Sequence, residues 1–206
     1  MRDRRLAFAL PALESLEPRV VMSATMLDGG VLVLRGSGDA DVVVVEAGNV
    51  PGQVRVEGIP GVDHGATFEG VTSVRVDLKG GDDDFRVHNS PLALDGSALG
   101  FTVRGRDGHD EIRTGSGNDT VYGGRGNDLI VAGSGNDTAL GGYGDDEIYG
   151  GDGSDTLVGN ANRDRVFGGR GIDSIRGGRG RDFLGGARVE LRDLGAEDQG
   201  WTPAID

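Results

Sequence analysis

The chain has 206 residues, no cysteine and a formal net charge of −13 at pH 7. This length allows one or two domains, and the lack of cysteine excludes disulfides and thiolate metal sites. The negative charge argues against nucleic-acid binding, because phosphates would be repelled. No apolar run reaches the roughly 18 residues of a transmembrane helix, so no transmembrane segment is predicted.

Residues 1–26 are predicted to be a leader for export. Arginines among residues 2–5 precede a short apolar run at residues 6–10, in the order that is typical of a signal peptide. Glu14 and Glu17 break up the apolar character, so a disordered basic leader is the alternative. Residues 16–19, Leu-Glu-Pro-Arg, resemble the LEPR-xLL segment of large exported bacterial proteins, with Val21 and Met22 in place of its two leucines. The resemblance implies a secreted, extracellular or cell-surface location in bacteria.

Residues 27–104 are predicted to be rich in β-strands. Apolar runs occur at residues 31–34, 42–45, 54–56, 74–78 and 101–103, and Gly, Asp and Pro separate them. Residues 81–85 align with residues 117–121 at an offset of 36, and residues 36–42 are a looser echo of the same pattern. The region is therefore expected to be a degenerate solenoid or a small sandwich.

Residues 105–185 consist of nine consecutive nine-residue repeats. Asp occupies the sixth position of every repeat, and Gly occupies the fourth position of every repeat except the seventh, which has Asn162. The eighth position is always apolar. With two repeats per coil, one sheet would receive Ile112, Ile130, Ile148, Val166 and Leu184, and the other Val121, Ala139, Leu157 and Ile175.

These fixed positions resemble the RTX, or haemolysin-type, calcium-binding nonapeptide GGxGxDxUx, a repeat that is typical of parallel β-helices. In that family six residues form a calcium-binding turn, three form a short strand, and a metal ion lies between turns two repeats apart. The resemblance implies an all-β chain with a parallel β-roll, or β-solenoid, that binds several Ca²⁺ ions. Gly suits tight turns with positive φ, and calcium prefers carboxylate and carbonyl oxygens.

The candidate metal-binding residues are Asp83 and residues of the repeat turns. They are Gly108, Asp110, Gly117, Asn118, Asp119, Gly126, Asn127, Asp128, Gly135, Asn136, Asp137, Gly144, Asp145, Asp146, Gly153, Asp155, Asp164, Asp173 and Asp182.

The roll is expected to need its metal. One interior side chain per repeat is a poor core, because ordering each residue costs roughly 1–2 kcal/mol and burying an Ile or Leu returns only about 1.5–3 kcal/mol. Stacked Asp carboxylates would also repel one another, so binding free energy becomes folding free energy. Without calcium, a disordered Gly- and Asp-rich tract is the alternative.

The repeats are not equivalent. Residues 105–158 contain eleven acidic residues and three arginines, whereas residues 159–185 contain six arginines and three aspartates. The last three repeats are therefore predicted to be weaker metal sites. They form either a capping end where Arg partly replaces calcium or a basic patch that docks an anionic polymer.

No catalytic motif such as HExxH or GxSxG is present, and His64, His88 and His109 are scattered. The predicted function is a non-enzymatic calcium-binding protein with a structural or adhesive role. The alternative is a module that binds or acts on a surface polysaccharide or another extracellular partner, using a stripe of the ninth-position residues Tyr122, Tyr149 and Phe167. Residues 186–206 are expected to be a cap or tail, with a last strand at Val189 and Leu191 and Trp201 either packed there or in a frayed terminus.

Overall fold

A computed structural model describes residues 23–58, 65–93, 95–186 and 189–191. Most of the predicted leader, His64 and Trp201 lie outside these described residues. The described part of the chain has no helix long and apolar enough to cross a membrane.

The described residues form β-strands connected by tight turns. The strands are β1 (Ser23–Leu27), β2 (Val31–Arg35), β3 (Val42–Ala47), β4 (Val54–Glu57), β5 (Ala66–Phe68), β6 (Ser73–Gly80), β7 (Asp84–His88), β8 (Phe101–Asp107), β9 (Glu111–Arg113), β10 (Thr120–Arg125), β11 (Leu129–Ser134), β12 (Thr138–Tyr143), β13 (Glu147–Asp152), β14 (Thr156–Ala161), β15 (Arg165–Arg170), β16 (Asp173–Arg179), β17 (Phe183–Gly185) and β18 (Val189–Leu191).

The strands belong to two nine-stranded sheets, and from β6 onward the chain alternates between them. The first sheet has the order β1-β2-β6-β8-β10-β12-β14-β16-β18, and the second has the order β17-β15-β13-β11-β9-β7-β3-β4-β5. Within the repeats all neighbouring strands are parallel, as in β10 and β12, where Thr120 lies opposite Thr138. Two repeats therefore complete one coil, and the predicted parallel β-roll is confirmed.

The eighth-position side chains form the core between the sheets. All nine are buried, with exposed fractions between 0% and 4%. They divide between the sheets as the repeat pattern predicts: Ile112, Ile130 and Ile148 lie side by side in the second sheet. Ala139 lies between Val121 and Leu157 in the first sheet, where its small side chain makes the core thinner.

The solenoid continues into the N-terminal region. All five predicted strands are present there as β2, β3, β4, β6 and β8, and β2, β6 and β8 are parallel neighbours in the same sheet as the repeats. Of the two predicted alternatives, the degenerate solenoid is the one observed. The apolar runs did not predict β1, β5 and β7, and β1 begins at Ser23, inside the segment expected to be a leader.

Antiparallel strands close the N-terminal end of both sheets. β1 pairs with β2 at the edge of the first sheet, and β4 and β5 follow β3 at the edge of the second. At the other end, Val189–Leu191 form the predicted last strand, which lies parallel to β16. Covering a sheet edge with a short strand limits pairing with other chains.

Candidate metal centre

Each repeat turn contains two backbone positions with positive φ. In the third repeat they are Gly124, with φ of 129°, and Gly126, with φ of 120°. The fourth position was expected from its glycine column, whereas the second position was not singled out, although Gly occupies it in seven of the nine repeats. Arg106 and Asn160 adopt positive φ at the second position and Asn162 at the fourth, so the turn geometry persists where Gly is replaced.

Glycine at the fourth position also allows consecutive coils to approach closely. A Cβ atom added to Gly126 would overlap the carbonyl oxygen of Gly108, and one added to Gly144 would overlap that of Gly126. The fourth-position carbonyls therefore point along the roll axis toward the next turn. They are positioned as oxygen donors between turns that are two repeats apart.

The sixth-position aspartates form two columns, one at each edge of the roll. The first Asp column contains Asp110, Asp128, Asp146, Asp164 and Asp182, and the second contains Asp119, Asp137, Asp155 and Asp173. In both columns the Oδ1 atom accepts a hydrogen bond from a backbone N–H one coil earlier. Asp128 accepts from Asp110 at 3.0 Å, and Asp137 accepts from Asp119 at 2.8 Å. The backbone thereby fixes the orientation of each carboxyl group.

The second carboxyl oxygen has no protein partner at most of these sites. These Oδ2 atoms are buried and accept no hydrogen bond in Asp83, Asp110, Asp128, Asp137, Asp146, Asp155, Asp164 and Asp173. A buried polar atom without a partner is costly and calls for an explanation, such as an ion. Such oxygens recur once per coil along each edge of the roll, where they could hold a cation.

Where the first position of a repeat is glycine, it leaves room for the free oxygen of the aspartate. A Cβ atom added to Gly105 would collide with Oδ2 of Asp110 and lie 2.6 Å from the carbonyl oxygen of Gly123. The same arrangement recurs at Gly159, where the added atom would meet Asp164 Oδ2 and lie 2.6 Å from Gly177 O. A carboxylate and a carbonyl from neighbouring coils thus converge on one small volume.

Burial raises the pKa of these aspartates well above that of an exposed carboxyl group. Burial raises the pKa of Asp128 to about 7, and the hydrogen bond from the Asp110 backbone offsets part of this effect. The pKa of Asp146 is likewise raised to about 7, chiefly by burial and additionally by the charges of Asp128 and Asp145. Burial also raises the pKa of Asp164 to about 7, and the charges of Asp146, Asp182 and Asp145 add to this effect. A nearby cation would favour the charged form in every case.

The donor set fits calcium. The described residues contain no group of three or more acidic or histidine side chains that converge on one point, so carboxylates alone cannot complete a site. Calcium takes about 6–8 oxygen ligands and accepts carbonyls readily. The sixth-position carboxylates and the first- and fourth-position carbonyls are the oxygens available for this role.

The fifth-position side chains form a separate ladder that runs in the opposite direction. Oδ1 of Asn118 accepts from Asn136 N–H at 2.8 Å, and Oδ1 of Asn136 accepts from Ser154 N–H at 2.8 Å. At the other edge Asn127 accepts from Asp145 N–H at 2.9 Å, and Nδ1 of His109 accepts from Asn127 N–H at 2.6 Å. The candidate residues Asn118, Asn127 and Asn136 therefore bond to the backbone of the next coil through their side-chain oxygens.

Arginines of the late repeats pair with acidic residues one coil earlier. Arg163 contacts Asp145 at 3.0 Å, and Arg165 contacts Glu147 at 3.7 Å. Arg170 lies 3.8 Å from Asp152. These contacts favour a capping end over a free basic patch, because half of the late arginines already face carboxylates.

The predicted aromatic stripe is divided between the two sheets. Tyr149 and Phe167 stack in the second sheet with ring centroids 5.0 Å apart, and Phe183 continues the row at 5.5 Å from Phe167. Tyr122 belongs to β10 in the first sheet, so the expected row of three ninth-position residues is wrong. Consecutive repeats alternate between sheets, and residues at the same position meet only when they are an even number of repeats apart.

Comparison with protein families identifies the repeats. Residues 104–139, 131–166 and 158–188 match the family described as RTX calcium-binding nonapeptide repeat (4 copies). Residues 104–188 are therefore calcium-binding nonapeptide repeats, as their sequence predicted. No curated protein and no solved structure matches the chain.

Proposed function

We propose that this chain is an exported calcium-binding protein whose β-roll folds when Ca²⁺ binds between stacked turns, and that it serves a structural or adhesive role. The observation that carries the proposal is the repeated buried carboxylate whose Oδ2 atom has no partner, as in Asp128, Asp146 and Asp164. When bound, calcium supplies the positive charge that these carboxylate oxygens coordinate.

The electrostatics of the metal-free roll support calcium-dependent folding. Moving a carboxylate from water into a protein interior costs several kcal/mol even after relaxation. Asp128 is 2% exposed and Asp164 is 0% exposed, and each has only other aspartates as charged neighbours that shift its pKa. The apolar core adds one eighth-position side chain per repeat, which offsets little of this cost. A ligand that binds only the folded roll therefore controls its stability.

Circular dichroism of the full chain tests this proposal. The far-UV β signal should be weak in chelator and should rise cooperatively as calcium increases to about 10 mM. This concentration lies above the dissociation constants of extracellular calcium modules. Magnesium should produce a much smaller change, because it needs near-ideal octahedral ligands and retains its waters. A spectrum that is the same in chelator and in calcium would contradict calcium-driven folding.

The calcium affinity expected of such sites supports a location outside the cell. Extracellular calcium modules bind at about 10⁻⁴–10⁻³ M, which is far above cytosolic calcium. RTX repeat proteins are typically secreted by bacteria, and residues 1–26 have the leader-like sequence. Mass spectrometry of the culture medium and the cell fraction tests this part of the proposal. Recovery of the protein only from the cytosol would contradict export.

The polysaccharide alternative gains no support from the ninth-position aromatic residues. Sugar rings stack on exposed aromatic faces, but Tyr149 and Phe167 lie nearly parallel, at 11°, and cover each other's faces. Arg165 lies over the Phe167 ring at 5.7 Å, and Arg104 lies over the ring of Tyr122 at 5.4 Å. These contacts favour a role of the aromatic residues in stabilising the outer surface of the roll.

A further inference from the structure

Cationic side chains cluster on the outer face of the first sheet, toward its N-terminal end. The alternate, outward-facing positions of β2, β6 and β8 include five exposed cations and one carboxylate, although the chain as a whole has a net charge of −13. These six residues form the basic face: Arg35, Arg75, Asp77, Lys79, Arg104 and Arg106. They are scattered along the sequence, and the stacking of coils brings them together.

Strand pairing fixes the spacing of the basic face. Asp77 lies between Arg35 and Arg104 in neighbouring strands. Lys79 lies opposite Arg106. Neighbouring strands are about 4.8 Å apart, and alternate residues of one strand are about 6.6 Å apart, so the charges are spread over a surface instead of converging on one point. This arrangement fits the repeated anions of a polymer better than a single small anion.

Most cations of the basic face have no carboxylate partner. Arg106 Nη2 lies 2.7 Å from Asp77 Oδ2. Among the described residues, no carboxylate forms an ion pair with Arg35, Arg75 or Lys79. Their charge is therefore available to an external anion.

The outer face of the second sheet differs at the same end of the roll, because its arginines are paired. Arg86 contacts Asp84 at 2.6 Å and Glu111 at 3.3 Å. Arg113 also forms an ion pair with Glu111. Unpaired positive charge thus distinguishes the first sheet from the second.

A shallow groove continues from the basic face along the roll axis. Arg106 lies opposite Gly124, and the floor of the groove includes Gly124 and Gly142, which have no side chains. Tyr143 borders this groove of about 450 Å³ and is 66% exposed, and Arg179 lies farther from the basic face. In the part of the chain that the structure describes, no other ring and no cation stacks on Tyr143. Its aromatic surface is free to contact a ligand in the groove.

We propose that the outer face of the first sheet binds an acidic polysaccharide chain that runs along the roll axis. The basic face contacts its carboxylate or sulfate groups, and Tyr143 packs against a sugar ring in the groove. This inference rests on the proposed adhesive role, for which it names the class of partner.

Other polyanions match this surface less well. Duplex DNA has one charge per about 1.7 Å, which is far denser than the cations of the basic face, and it is stiff over about 150 base pairs. An anionic membrane would attract the same cations but would leave the glycine floor beside Tyr143 unfilled. A narrow and flexible acidic sugar chain satisfies both the charge and the groove.

Binding of the full chain to soluble polymers in saturating calcium tests the proposal. Hyaluronate and chondroitin sulfate should bind, and neutral dextran should not. Added sodium chloride should weaken the binding, because salt screens exposed charges. A lack of binding to both acidic polysaccharides would overturn the inference, as would equally tight binding of duplex DNA or phosphatidylserine vesicles.

Matched variants locate the site. Arg35→Gln/Arg75→Gln should weaken binding at least about tenfold, because each change removes a charge-assisted contact. Arg86→Gln/Arg113→Gln removes the same charge from the second sheet and should leave the affinity unchanged. Equal losses for the two double variants would overturn the proposed face. Tyr143→Ala should also weaken binding, whereas Tyr143→Phe should not, and an unchanged affinity of Tyr143→Ala would overturn the path along the groove.

Circular dichroism in the same buffer separates this inference from the proposed function. A chain that folds in calcium and binds neither acidic polysaccharide would overturn the inference alone. A chain that stays unfolded in calcium would overturn both, because the basic face exists only in the folded roll. A chain that folds and binds the polymers equally well in chelator would support the inference and contradict calcium-driven folding.

Discussion

The backbone N–H of Asp110 donates a hydrogen bond to Oδ1 of Asp128, which lies 18 residues later in the chain, at 3.0 Å. The same bond joins Asp128 to Asp146 at 2.9 Å and Asp146 to Asp164 at 2.9 Å. Each carboxyl group is thus held by one oxygen while the other remains available. This division of roles within one side chain explains why Asp recurs at the sixth position.

Position along the column should determine how much each aspartate contributes to calcium binding. Asp128 has a neighbouring coil on both sides, whereas Asp182 lies beside β17, the edge strand of the second sheet among the described residues. Asp128→Asn should therefore raise the calcium midpoint for folding clearly, and Asp182→Asn should raise it less. The late arginines add to this difference by repelling a divalent cation. Calcium-titrated circular dichroism measures both midpoints, and equal shifts would contradict the gradient.

Lowering the pH should stabilise the metal-free roll. The pKa of Asp128 and Asp146 rises from 3.8 to about 7 on folding, mainly because of burial. The folded state therefore binds more protons than the unfolded state between these values, and the resulting stability is lost as the pH rises through about 7. In chelator, the β signal should increase when the pH falls from 8 toward 4.

Calcium should reverse this dependence, because protons compete with the metal for the same carboxyl oxygens. The calcium midpoint should move to higher concentration as the pH falls from 8 to about 5. Circular dichroism titrations at both pH values measure the shift. A chelated protein that is less structured at pH 5 than at pH 8 would contradict the predicted effect of burial.

A side chain at a fourth-position glycine should destabilise the roll. Gly144 has φ of 129°, and a Cβ atom there would overlap Gly126 O and lie 2.9 Å from Asn127 Oδ1. Gly144→Ala should cost at least about 2 kcal/mol from conformational strain and overpacking. Urea denaturation in saturating calcium measures the loss.

Two other glycines separate the causes of this effect. Gly70 has φ of 71° but open space around its added Cβ, and Gly38 has open space without a positive φ. Gly70→Ala should cost about 1–2 kcal/mol from strain alone, and Gly38→Ala should be nearly neutral. If Gly144→Ala destabilised the protein no more than Gly70→Ala does, the contact with the carbonyl oxygen of Gly126 would be unimportant.

The fifth-position ladder should contribute to stability without setting the number of metal ions. Asn136→Ala removes the oxygen that accepts from Ser154 N–H at 2.8 Å, and it should cost about 0.5–1.5 kcal/mol. Ser154→Ala is the matched control and should have little effect. Native mass spectrometry should find the same number of calcium ions on both variants. Loss of an ion from Asn136→Ala would assign that side chain to a metal site instead.

The sequence alone was sufficient to predict the repeating part of the fold. Within residues 105–185 every coil repeats the same local requirements: glycine for the turn, aspartate for the inner edge and an apolar residue for the core. Since each coil contacts only its neighbours, the period fixes which residues lie side by side. The pairing of Ile130 with Ile112 and Ile148 followed directly from a coil of two repeats.

Only the tertiary structure decided the neighbours where that period fails. Sequence similarity aligned Asp83 with Asp119. In the structure, the backbone N–H of Asp83 instead donates to Oδ1 of Asp110, which lies 27 residues away and belongs to the other Asp column. The coil between β7 and β8 includes additional residues, among which Leu92 and Ala98 form an antiparallel bridge. A short motif determines the conformation of its own turn, but the length of the intervening loop determines which other turn it packs against. The contact of Asp83 therefore depended on how the chain closes that coil in space.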